Sequence, residues 1–218
     1  HSGENHPMIR QLAERWKDRP KDWRKRFGGE PVGMGNPVYE WALMDKVDDI
    51  SGNKYLVSMS EVQARMGPFL WTYTAGGIHP GLVHPAGLVV SSPNQHGDIW
   101  ARNARRLTSS NNAELYAVKD LWQKQYRVVL WGGDPVGVRY TRPTEQIVSM
   151  SGTLWGREER AAIVNSYAIG IDNQQHLYFD ADVQGVRDLF AEYKTIHRKK
   201  RSDGQWGYNR DGDDMVAA

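Results

Sequence analysis

Arg127-Val128-Val129-Leu130-Trp131-Gly132-Gly133-Asp134-Pro135-Val136-Gly137-Val138-Arg139-Tyr140-Thr141 decides how this chain is read. Two short runs rich in β-branched and aromatic residues flank a Gly-Gly-Asp-Pro turn, the pattern of a β-hairpin. Residues 127–131 and 136–141 are therefore predicted to pair antiparallel. A third strand is predicted over 145–154. A second hairpin is predicted from 163–171 and 176–179, turning at Asp172-Asn173-Gln174-Gln175. Together these form a C-terminal β-meander.

Upstream, the period changes. Residues 98–107 and 112–124 are predicted helices, with Asp98 and Asn111 or Asn112 as caps. Leu115, Val118, Leu121 and Trp122 give the second helix one apolar face. A C-terminal helix is predicted over 181–196, carrying Val183, Val186, Leu189, Phe190 and Tyr193 at helical spacing. Strands are predicted at 38–44, 55–59, 69–74 and 88–91. Residues 67–97 read as a long Gly/Pro-rich stretch, and long ordered loops are often functional.

Helices and hairpins are thus segregated along the chain rather than alternating. That predicts an α+β class with a mainly antiparallel sheet. Three regions are expected: a basic helical arm over 1–30, a single α+β domain over 31–201, and a flexible tail over 202–218.

Composition bounds the function classes. The chain has 218 residues and a net charge of +2, from 28 basic and 26 acidic side chains, so it is not a bulk polycation. Basic charge is concentrated locally: residues 1–30 carry eight Lys/Arg against five Asp/Glu. There is no cysteine, which excludes disulfides, thiolate metal sites and cysteine nucleophiles. No apolar run approaches the roughly 20 residues that span a bilayer, and no signal peptide is visible. A soluble protein with no membrane partner is expected. There is no GxxxxGK[ST] phosphate loop, no GxGxxG and no GxSxG.

Nine tryptophans are present, several beside Arg or Lys. Aromatic faces mixed with positive charge suit base stacking with phosphate neutralisation. The candidate nucleic-acid contacts are Arg15, Lys17, Trp23, Arg24, Lys25 and Arg26 in the arm, and Trp100, Arg102, Arg105 and Arg106 on the predicted 98–107 helix. The run Arg198, Lys199, Lys200 and Arg201, after the C-terminal helix, completes the set. Trp41, Trp71, Trp131 and Trp155 are expected in or near the core.

Two further groups bear on chemistry. His79, His84 and His96 lie in the Gly/Pro stretch, where imidazoles could bind zinc, but at no standard zinc spacing. Asp180-Ala181-Asp182, following the strand Leu177-Tyr178-Phe179 and downstream of Gly152-Thr153, is similar to the Asp-x-Asp and Gly-Thr elements of the Toprim catalytic fold, whose carboxylates hold Mg²⁺. That family's strand-end glutamate has no match here, and Trp131 stands near its place. The alternative is that Asp180 or Asp182 caps the helix that follows.

These features lead to a non-enzymatic nucleic-acid-binding or structural protein that binds single-stranded RNA or DNA in a nucleocapsid-like or accessory role. It needs no cofactor. A protein–protein assembly module, whether scaffold, secretion or capsid subunit, is the alternative, with self-association or other protein subunits as partners. A metal-dependent hydrolase or nuclease using the His79/His84/His96 loop or Asp180/Asp182 is the second alternative.

Overall fold

In a computed structural model the chain divides into two compact units, 1–36 and 37–218. The described residues are 37–43, 47–48, 52–53, 55–80, 85–107, 112–133, 137–138, 142, 144–145, 147–149, 157–169, 175–200 and 206–208. The expected arm over 1–30 lies outside them.

The elements run α1 (Glu40–Leu43), β1 (Val47–Asp48), β2 (Gly52–Asn53), β3 (Leu56–Val57), α2 (Met59–Met66), β4 (Ala75–His79), β5 (Ala86–Pro93) and β6 (Ile99–Leu107). They continue with α3 (Asn112–Gln125), β7 (Leu130–Gly133), β8 (Val148–Ser149), α4 (Arg157–Ile169), β9 (Leu177–Asp180), α5 (Gln184–Thr195), β10 (Arg198–Lys200) and β11 (Trp206–Tyr208). Seven strands form one sheet in the order β3-β9-β6-β5-β4-β7-β8. Only the β4–β5 and β5–β6 pairs are antiparallel. The β3–β9, β6–β9, β4–β7 and β7–β8 pairs are parallel. Six strands therefore point one way and β5 opposes them. Among the described residues no helix is long and apolar enough to cross a membrane.

Helices cover both faces. On one face α3 lays Leu115, Val118 and Trp122 over Ile78, Leu88, Val90 and Trp131. On the other, Val186, Leu189 and Phe190 of α5 pack with Phe179, Ala101 and Ala104, and with Trp41 of α1. Burying each large apolar side chain contributes roughly 1.5–3 kcal/mol. Asn165 of α4 ties α1 down: its Oδ1 accepts from the Trp41 indole N–H at 2.7 Å and its Nδ2 donates to the Val38 carbonyl. At Gly185 an added Cβ would collide with the Ala104 carbonyl, so α5 rests directly on β6.

The α+β, mainly antiparallel expectation is overturned, because the decisive stretch does not make a hairpin. Leu130–Gly133 pairs in parallel with Ala75–Ile78. Gly133 lies so close to Ile78 that a Cβ there would overlap the Ile78 carbonyl oxygen. Glycine serves close strand approach here, not a turn. Beyond it, the Arg142 N–H donates to the Val138 carbonyl, an i→i+4 helical bond at 2.7 Å. The second expected hairpin also dissolves, since most of 163–171 belongs to α4, while 177–179 of the expected 176–179 strand falls in β9, which pairs in parallel with β6. Residues 98–107 form β6 rather than a helix, and 40–43 form α1 rather than a strand. The expected 69–74 strand is displaced to 75–79, and within 145–154 the strand is confined to Val148–Ser149. Helices α3 and α5 lie where the apolar period puts them, but Leu121, expected on the apolar face of α3, is 59% exposed.

β6 reads as a helix for a physical reason. A strand covered on both faces loses the in–out alternation that marks a strand. Trp100, Ala101, Ala104 and Leu107 are all buried, and Ala and Arg are good helix formers.

Candidate functional site

The parallel strands place His79, Leu107, Gly133 and Ser149 along one edge of the sheet, the carboxyl ends of β4, β6, β7 and β8, whereas the short β3 and β9 end lower, Phe179 pairing with Ala101 near the start of β6. From β4 the chain proceeds through β5 and β6 to one side, then crosses to build β7 and β8 on the other. In open α/β sheets ligands bind outside the carboxyl ends at such a reversal. The crevice predicted by topology therefore lies at the ends of β4 and β7. Below these ends the two strands approach closely through glycine: Gly76 lies under the Trp131 ring and Gly133 against Ile78. His79, half-buried, closes β4.

The histidine-loop expectation does not survive this topology. His79 ends β4, whereas His96 lies in the turn between β5 and β6, at the opposite edge. His79 is level with Gly87, so six further residues of β5 separate it from Pro93 at the other end, roughly 20 Å at 3.3 Å per residue. His84 lies outside the described residues. Among the described residues no group of three or more His, Asp or Glu is placed to hold a metal.

Asp180 and Asp182 are caps, but not of the helix that follows them. The N-cap of α5 is Val183, which makes no side-chain cap bond. Instead the Asp180 carboxylate accepts from the Met59 N–H at 3.3 Å and from the Asp182 N–H at 3.0 Å. Asp182 accepts from the Ser60 N–H at 2.9 Å. Both thus satisfy orphan donors in the first turn of α2, where negative charge also favours the helix dipole. Burial pushes the Asp180 carboxyl above the ordinary range, against the two backbone donors. The Ser60 N–H holds Asp182 below it.

The basic and aromatic candidates separate in three dimensions. Trp100 is only 2% exposed; Tyr178 stacks on it at 5.0 Å and Phe69 leans on it at 5.2 Å, so a base finds no face there. Arg105 pairs with Glu114 of α3 at 2.8 Å, and Arg106 lies 3.9 Å from Glu192 of α5. Arg198, Lys199 and Lys200 form β10, paired antiparallel with β11. Arg15, Lys17, Trp23, Arg24, Lys25, Arg26 and Arg201 lie outside the described residues.

Arg102 occupies a distinct place. Between Val90 and Ser91 on β5 the register on β6 jumps from Asn103 to Ala101, so Arg102 is the bulged residue. Its guanidinium lies 4.3 Å from the Trp71 ring centroid and 5.1 Å from that of Tyr126. Its Nη1 donates to Ser92 Oγ at 3.1 Å. Trp71, Thr74, Ser92 and Tyr126 are not among the sequence candidates for binding. They come from separate segments, and no local pattern joins them.

No family model matches the chain, and no curated protein does. Solved structures do. The large terminase of a thermophilic bacteriophage, in complex with ATP-gamma-S, is matched at TM-score 0.61 and 12% identity, over 95% of this chain and 50% of that one. A second structure of the same phage's large terminase is matched at TM-score 0.60 and 10% identity, over 98% of this chain and 51% of that one. The chain spans about half the length of that protein. This overturns the reading of the chain as a non-enzymatic binding or structural protein built on an antiparallel meander: its fold is one it shares with large terminase.

Proposed function

We propose that this chain is a nucleic-acid-processing domain of the large-terminase kind, a nuclease acting at the carboxyl edge between β4 and β7. The observation that carries this is the match to large terminase over nearly the whole chain. That protein is about twice as long, and one of its structures holds ATP-gamma-S. This chain has no GxxxxGK[ST] phosphate loop, which favours strand cleavage over nucleotide hydrolysis.

Phosphodiester hydrolysis commonly uses divalent metal ions held by carboxylates. The described residues do not fit such a centre. Asp180 is committed to the α2 backbone, and the described ends of β4 and β7 carry His79 and Gly133 rather than carboxylates. No step is therefore assigned to a metal. What the described crevice supplies is a half-buried imidazole, a group able to exchange a proton near neutral pH.

The test is conversion of supercoiled plasmid to nicked and linear forms by the purified chain with Mg²⁺ or Mn²⁺. Conversion is expected, and a His79→Ala variant should be slower by roughly 10²-fold, the scale of a lost acid–base group. No conversion with either metal between about pH 6 and 9 would overturn the proposal.

A further inference from the structure

We infer that Arg102 is the centre of a second nucleic-acid contact, a backbone-phosphate receptor at the amino edge of the sheet, on the far side from the carboxyl-edge crevice. The inference rests on the nucleic-acid reading above.

Arg102 is a partly buried guanidinium with no carboxylate within ion-pair distance among the described residues. Burial lowers its pKa, against the through-space pull of Tyr126 and then Asp180. Burying a charge without a paired partner is costly. The protein instead surrounds this cation with uncharged groups. Trp71 and Tyr126 flank it, and the Ser92 and Thr74 hydroxyls accept from Nη1 at 3.1 and 3.5 Å. Its Nε is shielded and has no hydrogen-bond partner. The shielded Nε is closed to an outside ligand, so the phosphate contact falls to Nη2, which gives a single charge-assisted bond. A β-bulge, a device that re-aims a side chain, puts Arg102 in this position.

The surroundings suit the same ligand. Thr74 immediately precedes β4, Ser92 lies near the end of the opposing β5, and Tyr126 lies between α3 and β7, so the cluster sits at the amino edge. On the same segments Tyr73 is exposed at 51%, and Lys124 and Arg127 are exposed. Arg127 holds φ at +52° as the left-handed residue that ends α3, where the Val128 N–H donates back to the Gln123 carbonyl. Two exposed cations and an exposed tyrosine therefore border a half-buried arginine that has no ion-pair partner among the described residues. This is the aromatic–basic juxtaposition that suits a phosphate backbone, built around Trp71 rather than Trp100.

Binding of a fluorescent 30-base-pair duplex is measured by anisotropy at low and raised salt. Lys124→Ala/Arg127→Ala, which alters only exposed side chains, is expected to weaken binding roughly 10-fold or more at low salt and to reduce the salt slope by about two. Arg102→Met, which keeps the apolar stem, is expected to weaken it at least as much, with the slope reduced by about one. Should Arg102→Met fail to fold, the double variant alone decides. Wild-type affinity and slope in both variants would overturn the inference, as would a wild-type chain with no affinity for the duplex. Nicking of plasmid by His79→Ala is a separate readout. Loss of cleavage there with unchanged duplex affinity supports two separate sites, whereas cleavage failing in the wild-type chain while the duplex binds through Arg102 would sink the nuclease reading alone.

Discussion

Gly76 and Trp131 face each other across the β4–β7 pair so closely that a Cβ on Gly76 would overlap the indole ring at Cε3. The indole is further fixed by its N–H, which donates to the Gln123 side chain of α3. This contact lets two parallel strands close up at the point where the sheet reverses direction.

Gly76→Ala is therefore expected to be destabilising, by about 1–3 kcal/mol, the usual range for overpacking. Urea denaturation reads it as a lower midpoint with an unchanged slope. A midpoint equal to wild type would show that the Trp131 ring moves aside easily.

Trp100→Ala should lower stability by about 3–5 kcal/mol, because a fully packed aromatic is removed from beneath Phe69 and Tyr178. Its duplex affinity, measured on the folded fraction, should match wild type. A selective loss of affinity from Trp100→Phe, with stability intact, would restore Trp100 as a stacking residue.

Asp180 and Asp182 are expected to titrate in opposite senses. The Asp180 carboxyl is raised by burial, so the folded state binds its proton more readily than the unfolded state. Its contribution to stability falls as pH rises from about 4, the unfolded value, through the raised pKa. Asp182 is lowered, first by the Ser60 N–H, so its contribution is present above about 4 and is lost as pH falls further. Asp180→Asn keeps an oxygen to accept from the Met59 and Asp182 N–H groups. Denaturation at a series of pH values should show this variant gaining on wild type as pH rises above about 4. A difference that stays constant over that range would contradict the assignment.

Lys119 and Glu145 form a shielded ion pair at 2.6 Å, with Lys119 only 5% exposed. Glu145→Gln leaves the ammonium with the more exposed Asp120, 3.6 Å away. A loss approaching 3–5 kcal/mol is expected, about what breaking a buried pair costs. Lys119→Met should lose less, because the Glu145 carboxylate it leaves behind keeps Arg142, whose Nε lies 3.3 Å from it. Equal losses in the two variants would mean the pair is effectively solvated.

How much of this is legible along the chain depends on whether a feature is local. The apolar period of Leu115, Val118 and Trp122 finds α3, and that of Val186, Leu189 and Phe190 finds α5. The runs at 88–91 and 177–179 lie within β5 and β9. Each of these signals resides within one or two turns or a few alternations. The candidate site is legible only in pieces: His79 stands out in the sequence, but grouped with His96, which the sheet carries to the other edge. Arg102 stands out too, but beside Trp100 rather than Trp71.

By itself, then, the sequence determined the period of the strongest segments, the absence of cysteine chemistry and the presence of aromatic and basic side chains in number. Only the tertiary structure decided what those segments pair with. Gly132-Gly133 reads as a turn until Ile78 is seen against it, because close strand approach and tight turning both require a missing Cβ. Strand β6 reads as a helix until α3 and α5 are seen on the two faces of the sheet, because burial on both sides erases alternation. Partner choice in a parallel sheet is set by segments far apart in the chain, and with it were set the reversal at β4, the crevice beside it and the bulge that aims Arg102.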